Sequence, residues 1–507
     1  MSGRMAVPHT PEDPAALPLY GSRLIEASAG TGKTWTIAAL YLRLVLGHGG
    51  ERAFREPLLP PQILVVTFTE AATRELRGRI HARLLDAARQ FRGDAPTAPD
   101  MLLQSLLEAY PDPADRAACA RRLELAAEWM DEAAVSTIHG WCFRMLREHA
   151  FDSGSLFEQQ VEPDLSELRA DAVRDYWRCM VYPQQGARLG LLCSILGDDP
   201  EALENRVRAL LGAEPPRAAP IAELNERLDR RLERLEAVKK PWREDFDAVA
   251  ASFRAALPEL NGNQYRNPDA RLEAMHAWAL DPVLEWPGDP KKEIAQRFSL
   301  EGMRSRLKRG RNLPDTLHPA FARLNGYADA SDDTPEAVLR HAAAWVRHRL
   351  AEAQRRRALL GFDDLLTALD AALRRPGGER LAETIRTQFP VAMIDEFQDT
   401  DPVQYRIFER IYRVRGNHPE QGIFLIGDPK QSIYAFRGAD IHSYLRARQD
   451  TTGRHHTLQV NYRASGSFVR ACNRLFGFAE GHPEGAFLFR RPGGGDPVPF
   501  EPVRAAG

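Results

Sequence analysis

Cysteine is scarce and unpatterned: Cys119, Cys142, Cys179, Cys193 and Cys472 are the whole set in 507 residues, and no two form a Cys-x-x-Cys pair. That argues against zinc or iron–sulfur sites and suits a reducing compartment, leaving these thiols structural or incidental. No apolar run is long enough to span a bilayer. The first twenty residues are proline-rich and partly acidic where a secretory signal would be basic and then apolar. A cytoplasmic location is expected. Neither charge is in excess: Lys+Arg number 68 and Asp+Glu 70, a formal net charge of -2, so any nucleic-acid surface must come from local clustering. Repeats and low-complexity tracts are missing too. What is present is ordinary for a soluble protein of several domains, 44% hydrophobic and 27% charged.

Prolines at 8, 11, 14 and 18 mark residues 1–19 as a flexible lead-in. Leu24-Ile25-Glu26 reads as a short buried strand, followed by a glycine-rich loop and by helical spacing through Ile37, Leu40, Tyr41 and Leu44. A second strand, Ile63 to Phe68, runs into a helix from Glu70 to about Arg89. Val391–Ile394 and Ile423–Ile426 are two further buried strands. This alternation predicts an α/β fold with a parallel sheet and its ligand at the carboxyl edge. Between about Phe151 and Ala353 the texture is amphipathic helix, as in Leu165 to Tyr182 and Ile221 to Val238. The expected organisation is a sheet domain over 20–150 and 354–455, a large all-helical insertion over 151–353, and the start of a second domain over 456–507. The insertion holds the most basic stretch, Arg304, Arg306, Lys308, Arg309 and Arg311, which fits either a DNA path or a solvated face.

Three segments carry chemistry. Ala27-Ser28-Ala29-Gly30-Thr31-Gly32-Lys33-Thr34 has the small residues that let backbone N–H groups curl around phosphates, a lysine for the outer phosphates and a hydroxyl for magnesium. The alternative is a glycine-rich turn with a surface lysine, and Trp35 is expected in the core. Ile394-Asp395-Glu396-Phe397-Gln398-Asp399-Thr400 places two carboxylates at a strand end, Asp395 for magnesium and Glu396 to activate water for ATP hydrolysis. An acidic turn, or a metal nuclease using Asp395, Glu396, Asp399 and Asp401, are its alternatives. After the fourth strand comes Gly427 to Gly438, where Gln431 can sense phosphate and Tyr434 and Phe436 can stack on unpaired bases or pack in a core. Arg463, in Asn461-Tyr462-Arg463, is the candidate arginine finger.

With Thr67-Phe68-Thr69-Glu70-Ala71-Ala72, Thr137-Ile138-His139-Gly140 and Gly361-Phe362-Asp363-Asp364-Leu365-Leu366, these segments occur in the order found in the UvrD/Rep-like superfamily-one DNA helicases, and the chain resembles that family over nearly its whole length. Leu24 to Thr34, Phe151-Asp152-Ser153-Gly154 and Asp395 to Tyr405 are similar, more narrowly, to the RecB-type subunits of bacterial helicase-nucleases. The resemblance implies a RecA-like domain, with ATP and Mg2+ as cofactors. It also implies 3′-to-5′ unwinding of duplex DNA at double-strand breaks, for recombinational repair, beside RecC-like and RecD-like subunits. It implies that Thr67, Phe68 and His139 face single-stranded DNA, that Gln431 couples phosphate to DNA and that Tyr434 and Phe436 stack bases. Tyr462 is implied near adenine, Arg463 at the terminal phosphate, and the helical insertion as an arm on duplex DNA. Tyr20 stands where relatives often have a glutamine that reads adenine. By the same resemblance, the family's later motifs, a second arginine finger and the nuclease domain are expected to be lacking from the 507 residues. Two other classes remain open: a non-catalytic module that binds nucleotide, DNA or partners, and a small-molecule phosphotransferase.

Overall fold

The computed structural model describes residues 16–95, 100–153, 160–211, 220–285, 293–325, 333–433, 440–490 and 495–506. Its chain divides into two compact units, one of residues 1–161 with 360–507 and one of residues 162–359.

The first unit is built on six parallel strands: β1 (Gly21–Ala27), β2 (Ile63–Thr67), β3 (Val135–Thr137), β4 (Val391–Ile394), β5 (Gly422–Gly427) and β6 (His455–Leu458). Their order across the sheet is β3-β2-β4-β5-β1-β6. Strands of nearly unbroken Ile, Leu and Val belong in a sheet covered on both faces, and alternate residues here enter two separate cores. Ile25, Val65, Met393, Phe424 and Ile426 pack with Ile37, Leu40 and Leu44 of α1 (Lys33–Leu46) and Leu76 and Ile80 of α2 (Glu70–Phe91). Leu24, Leu64, Val66, Ile394 and Leu425 pack on the other side with Trp141, Leu365, Leu369, Ile385 and Ile407. That two-residue alternation is the pleat seen from both sides. The register pairs Leu24 with Leu425, Val65 with Met393 and Ile394 with Leu425. All carboxyl ends therefore share one edge.

The helical unit covers 162–359 where the sequence reading had 151–353, and the sheet domain differs at both of its ends. Leu17 and Leu19, within the stretch expected to be a flexible lead-in, are buried, because Leu19 N–H donates to Arg52 O at 2.8 Å and Arg43 donates to Leu17 O at 2.7 Å. Residues 1–15 of that stretch lie outside the described residues. At the other end β6 pairs with β1 from Leu24↔His455 to Ala27↔Leu458, so the sheet runs on to Leu458, past 455.

The second unit is helical, with two cores. One gathers Tyr176, Trp177, Leu192, Leu228, Val338 and Val346, and the other Trp242, Phe253, Met275, Trp278, Phe298 and Phe321. The 24-residue helix Ile221–Glu244 serves both, its Leu224 and Leu228 in the first and its Val238 and Trp242 in the second. In the basic stretch, Lys308 donates to Pro258 O at 2.6 Å, Arg306 to Gly302 O at 2.9 Å, and Arg311 pairs with Glu259 at 3.6 Å. Much of its charge thus fastens its own loops. No helix among the described residues is long and apolar enough to cross a membrane.

Candidate functional site

The loop between β1 and α1 is held by its own short bonds. Thr31 donates to Ser28 O through both N–H (3.1 Å) and Oγ1 (2.7 Å), and Gly30 and Gly32 take φ of +80° and +92°, the left-handed region that admits glycine without strain. Thr36 N–H donates to Gly32 O and starts the helix. Lys33 and Thr34 follow at its first turn, where unpaired N–H groups and the helix dipole favour an anion. Trp35, expected in the core, is instead 42% exposed with the Arg83 guanidinium over its ring. Its place on the first turn of α1 turns it outward, away from the sheet.

Lys33 Nζ lies 2.5 Å from Glu396 Oε2, joining the phosphate loop to the end of β4. Glu396 sits at φ +49°, a conformation that costs a non-glycine residue about 1 kcal/mol. Asp395 N–H donates to Val66 O, which extends the pairing of β4 with β2, and Asp395 Oδ1 accepts from Glu396 N–H at 3.0 Å. Burial first, and then the neighbouring Glu396 charge, push the Asp395 carboxyl up to about 6, with Lys33 opposing. Asp399 is pushed to about 6 by the same two causes, and its buried Oδ1 has no partner among the described residues. A divalent cation would lower both, so its binding near pH 6 would release protons.

These groups fit magnesium bound with a nucleotide, which takes one or two protein ligands beside phosphate oxygens. Thr34 and Asp395 supply that number. Of the four carboxylates in the nuclease alternative, Asp401 is engaged as a helix cap, its Oδ1 accepting from Val403 N–H at 2.6 Å and Gln404 N–H at 2.8 Å at the start of Pro402–Tyr412. No three His, Cys, Asp or Glu side chains converge as a metal cage among the described residues.

Gln431, beyond β5, donates its amide to Asp428 Oδ2 at 2.8 Å, and Lys430 Nζ holds Asp428 Oδ1 at 3.0 Å. Tyr434 and Phe436 lie outside the described residues. Asn461 ties its own segment to the phosphate loop: its Nδ2 donates to Ala29 O at 2.8 Å, while its Oδ1 accepts from Arg463 and Ala464 N–H, both at 2.9 Å. Tyr462 N–H donates to Gly30 O at 2.8 Å. A Cβ on Gly30 would come within 2.8 Å of Arg463 Cβ and 2.9 Å of Asn461 Oδ1, so glycine is required there by contact as well as by φ. The Tyr462 ring stands 70% exposed, and Arg463 is exposed.

Residues 10–452 match the UvrD/REP helicase N-terminal domain family. The chain belongs to this family. Its parallel sheet and phosphate loop are the RecA-like fold of these helicases. The chain is also similar to the RecBCD enzyme subunit RecB of Escherichia coli K12, 42% identical over 98% of this chain and 40% of that protein. The same-named subunit of Haemophilus influenzae is 35% identical over 95% of this chain and 41% of that protein, and that of Mycolicibacterium smegmatis 28% over 88% and 29%. The chain spans about two fifths of the length of the first two.

The other UvrD/REP family segments lie at the same carboxyl edge. Phe68 follows β2 and is half-buried. Thr67 is buried, its Oγ1 2.5 Å from Thr73 Oγ1 and donating to Thr69 O at 3.2 Å, so its hydroxyl is spent on the turn into α2. His139 stacks on Phe362, ring centroids 4.1 Å apart and planes at 25°, and Phe362 is 50% exposed. Burial holds the His139 imidazole below its usual range, against Asp363 and Asp401, so the ring is neutral at pH 7.

Sequence reasoning singled out none of three residues that bond to or stack on this site's residues, Phe362, Asn461 and Gln398. Phe362 and Asn461 stood inside quoted segments, where an aromatic flanked by acids and an amide beside a candidate finger were the available signals. Gln398 stood inside a quoted segment too, beside Glu396 and Asp399, but only the seating of β5 against β4 gives its amide oxygen a partner, Asp428 N–H.

Proposed function

We propose that this chain is the ATP-hydrolysing motor portion of a RecB-type DNA helicase. One observation carries the reading: the phosphate-loop lysine meets the strand-end Glu396, while Asn461 fastens the Tyr462-Arg463 segment to the same loop. A static binding module does not require a paired carboxylate and an arginine on opposite walls of one phosphate cradle. A motor does.

In this reading the backbone from Ala27 through Thr34 cradles the phosphates, Lys33 neutralises the outer ones, and Thr34 and Asp395 hold Mg2+, which stabilises charge on the phosphate oxygens. Glu396 orients and deprotonates the attacking water once phosphate has drawn Lys33 away from it. Gln431 Nε2 carries two protons; with one given to Asp428, the other is directed to phosphate or water. Arg463 meets charge developing on the terminal phosphate, and Tyr462 offers its exposed ring to the base.

Single-stranded DNA crosses the adjoining edge, over Phe68 and the His139–Phe362 stack, with Thr67 acting through the turn it fixes; Tyr434 and Phe436, outside the described residues, are proposed to stack on its bases. Stacking suits a translocating enzyme because every base has a π face. We further propose 3′-to-5′ unwinding in double-strand-break repair in the cytoplasm, and the name RecBCD carried by the similar subunits supports RecC-like and RecD-like partners. In the same reading the helical insertion read over 151–353 is an arm on duplex DNA, and residues 456–507 are the start of a second RecA-like domain.

Phe362→Ala tests the DNA surface. Fluorescence anisotropy with a labelled single strand is expected to show a loss of about 1 to 3 kcal/mol, the value of one base stack. Unchanged affinity in the folded variant would remove the His139–Phe362 stack from the DNA path.

A further inference from the structure

Gln398 lies between the two carboxylates of the β4 end and outside every role given above. It is 2% exposed, and both polar atoms of its side chain are engaged. Its Oε1 accepts from Asp428 N–H at 2.9 Å, and its Nε2 donates to Glu396 Oε2 at 2.8 Å and to Asp399 Oδ2 at 3.3 Å. Its backbone carbonyl accepts from Ser432 Oγ at 3.2 Å. The orientation of the amide is dictated by chemistry, since a backbone N–H can only donate and the two carboxylates only accept. A flipped amide would oppose all three.

The neighbouring strand is shaped for this amide. A Cβ on Gly427 would stand 2.6 Å from Gln398 Oε1 and 3.0 Å from its backbone nitrogen, so only glycine lets β5 lie against it. From Asp428 the bonds continue, through Oδ2, to Gln431 Nε2 at 2.8 Å. A continuous set of hydrogen bonds therefore runs from Glu396 through Gln398 and Asp428 to Gln431. At its start, Glu396 Oε2 accepts from both Lys33 and Gln398. Any anion that draws Lys33 away leaves Glu396 Oε2 held by Gln398 alone, and a shift of the carboxylate must move the amide that holds the Asp428 backbone.

We infer that Gln398 is a positioning residue that couples the phosphate-contacting carboxylate Glu396 to the loop bearing Gln431, making nucleotide and single-strand binding interdependent. The inference rests on the DNA-motor reading above. Coupling between two sites is reciprocal and is measured by binding alone, without turnover. The experiment is titration of a fluorescent ATP analogue into the full chain, with and without saturating oligothymidine of about 16 nucleotides.

In the wild type, oligothymidine is expected to change nucleotide affinity by about fivefold or more. In Gln398→Ala that ratio is expected to fall to about one, while affinity for nucleotide alone stays within about threefold of wild type. Gln398→Asn, one methylene too short to span Glu396 and Asp428, is expected to behave alike, and it decides the matter if the alanine variant does not fold. A wild-type ratio retained in a folded variant would overturn the inference and leave the motor reading standing. A wild type that binds nucleotide but not oligothymidine would overturn both.

Discussion

Lys33→Ala is expected to remove nucleotide binding, and Glu396→Gln to preserve or tighten it while stopping hydrolysis. Lys33 supplies charge-assisted hydrogen bonds to phosphate, worth about 1.5 to 3 kcal/mol. Its loss weakens affinity by at least about tenfold. The Glu396 variant acts in the opposite sense. Glu396 pairs with Lys33 at 2.5 Å and so competes with phosphate for the ammonium. Glutamine keeps the size of the side chain and lifts the charge, which frees Lys33. Glutamine cannot accept a proton from water, so hydrolysis should fall by about 100- to 10,000-fold. Isothermal calorimetry with a nucleotide analogue separates the two variants, and equal loss of binding in both would contradict the assigned roles.

The second large effect is expected at Asn461. Its amide makes three hydrogen bonds that fix the Arg463 backbone beside Ala29 and Gly30. At about 1 kcal/mol each, their loss in Asn461→Ala releases the arginine from the cradle rather than unfolding the sheet, since Asn461 lies outside both of its cores. Hydrolysis is expected to drop on the order of 10- to 100-fold with the melting temperature nearly unchanged. Asn461→Asp keeps the two acceptor bonds but turns an anion toward Ala29 O, and it should be no better than alanine. Wild-type turnover in Asn461→Ala would show that Arg463 is placed by other means.

Much of the fold was legible because its strands are buried on both faces. Val391–Ile394 and Ile423–Ile426 need no partner to identify them as strands, and the phosphate loop, Asp395-Glu396 and Gly427-Asp428 each begin where such a run stops. The helices were legible too, though Glu70 to about Arg89 extends to Phe91, and the pattern from Ile221 continues to Glu244 through Pro241. What sequence could not supply was side-chain partnership. Nothing in the local run shows that Gln398 is buried between two strands or that the Thr67 hydroxyl bonds within the turn into α2. Trp35 was misplaced because a helical position beside a core periodicity says little about which way the first turn faces. The Lys33–Glu396 pair joins residues 363 positions apart. Only the sheet order, with β5 and β1 side by side and β4 next, brings that pair together.

The central claim is that one site hydrolyses ATP in response to DNA. Its most direct test is the rate of ATP hydrolysis by the chain with and without single-stranded DNA, with Glu396→Gln as the blank. The expected result is turnover that rises with DNA and disappears in the blank. Turnover indifferent to DNA, or equal in wild type and blank, would contradict it.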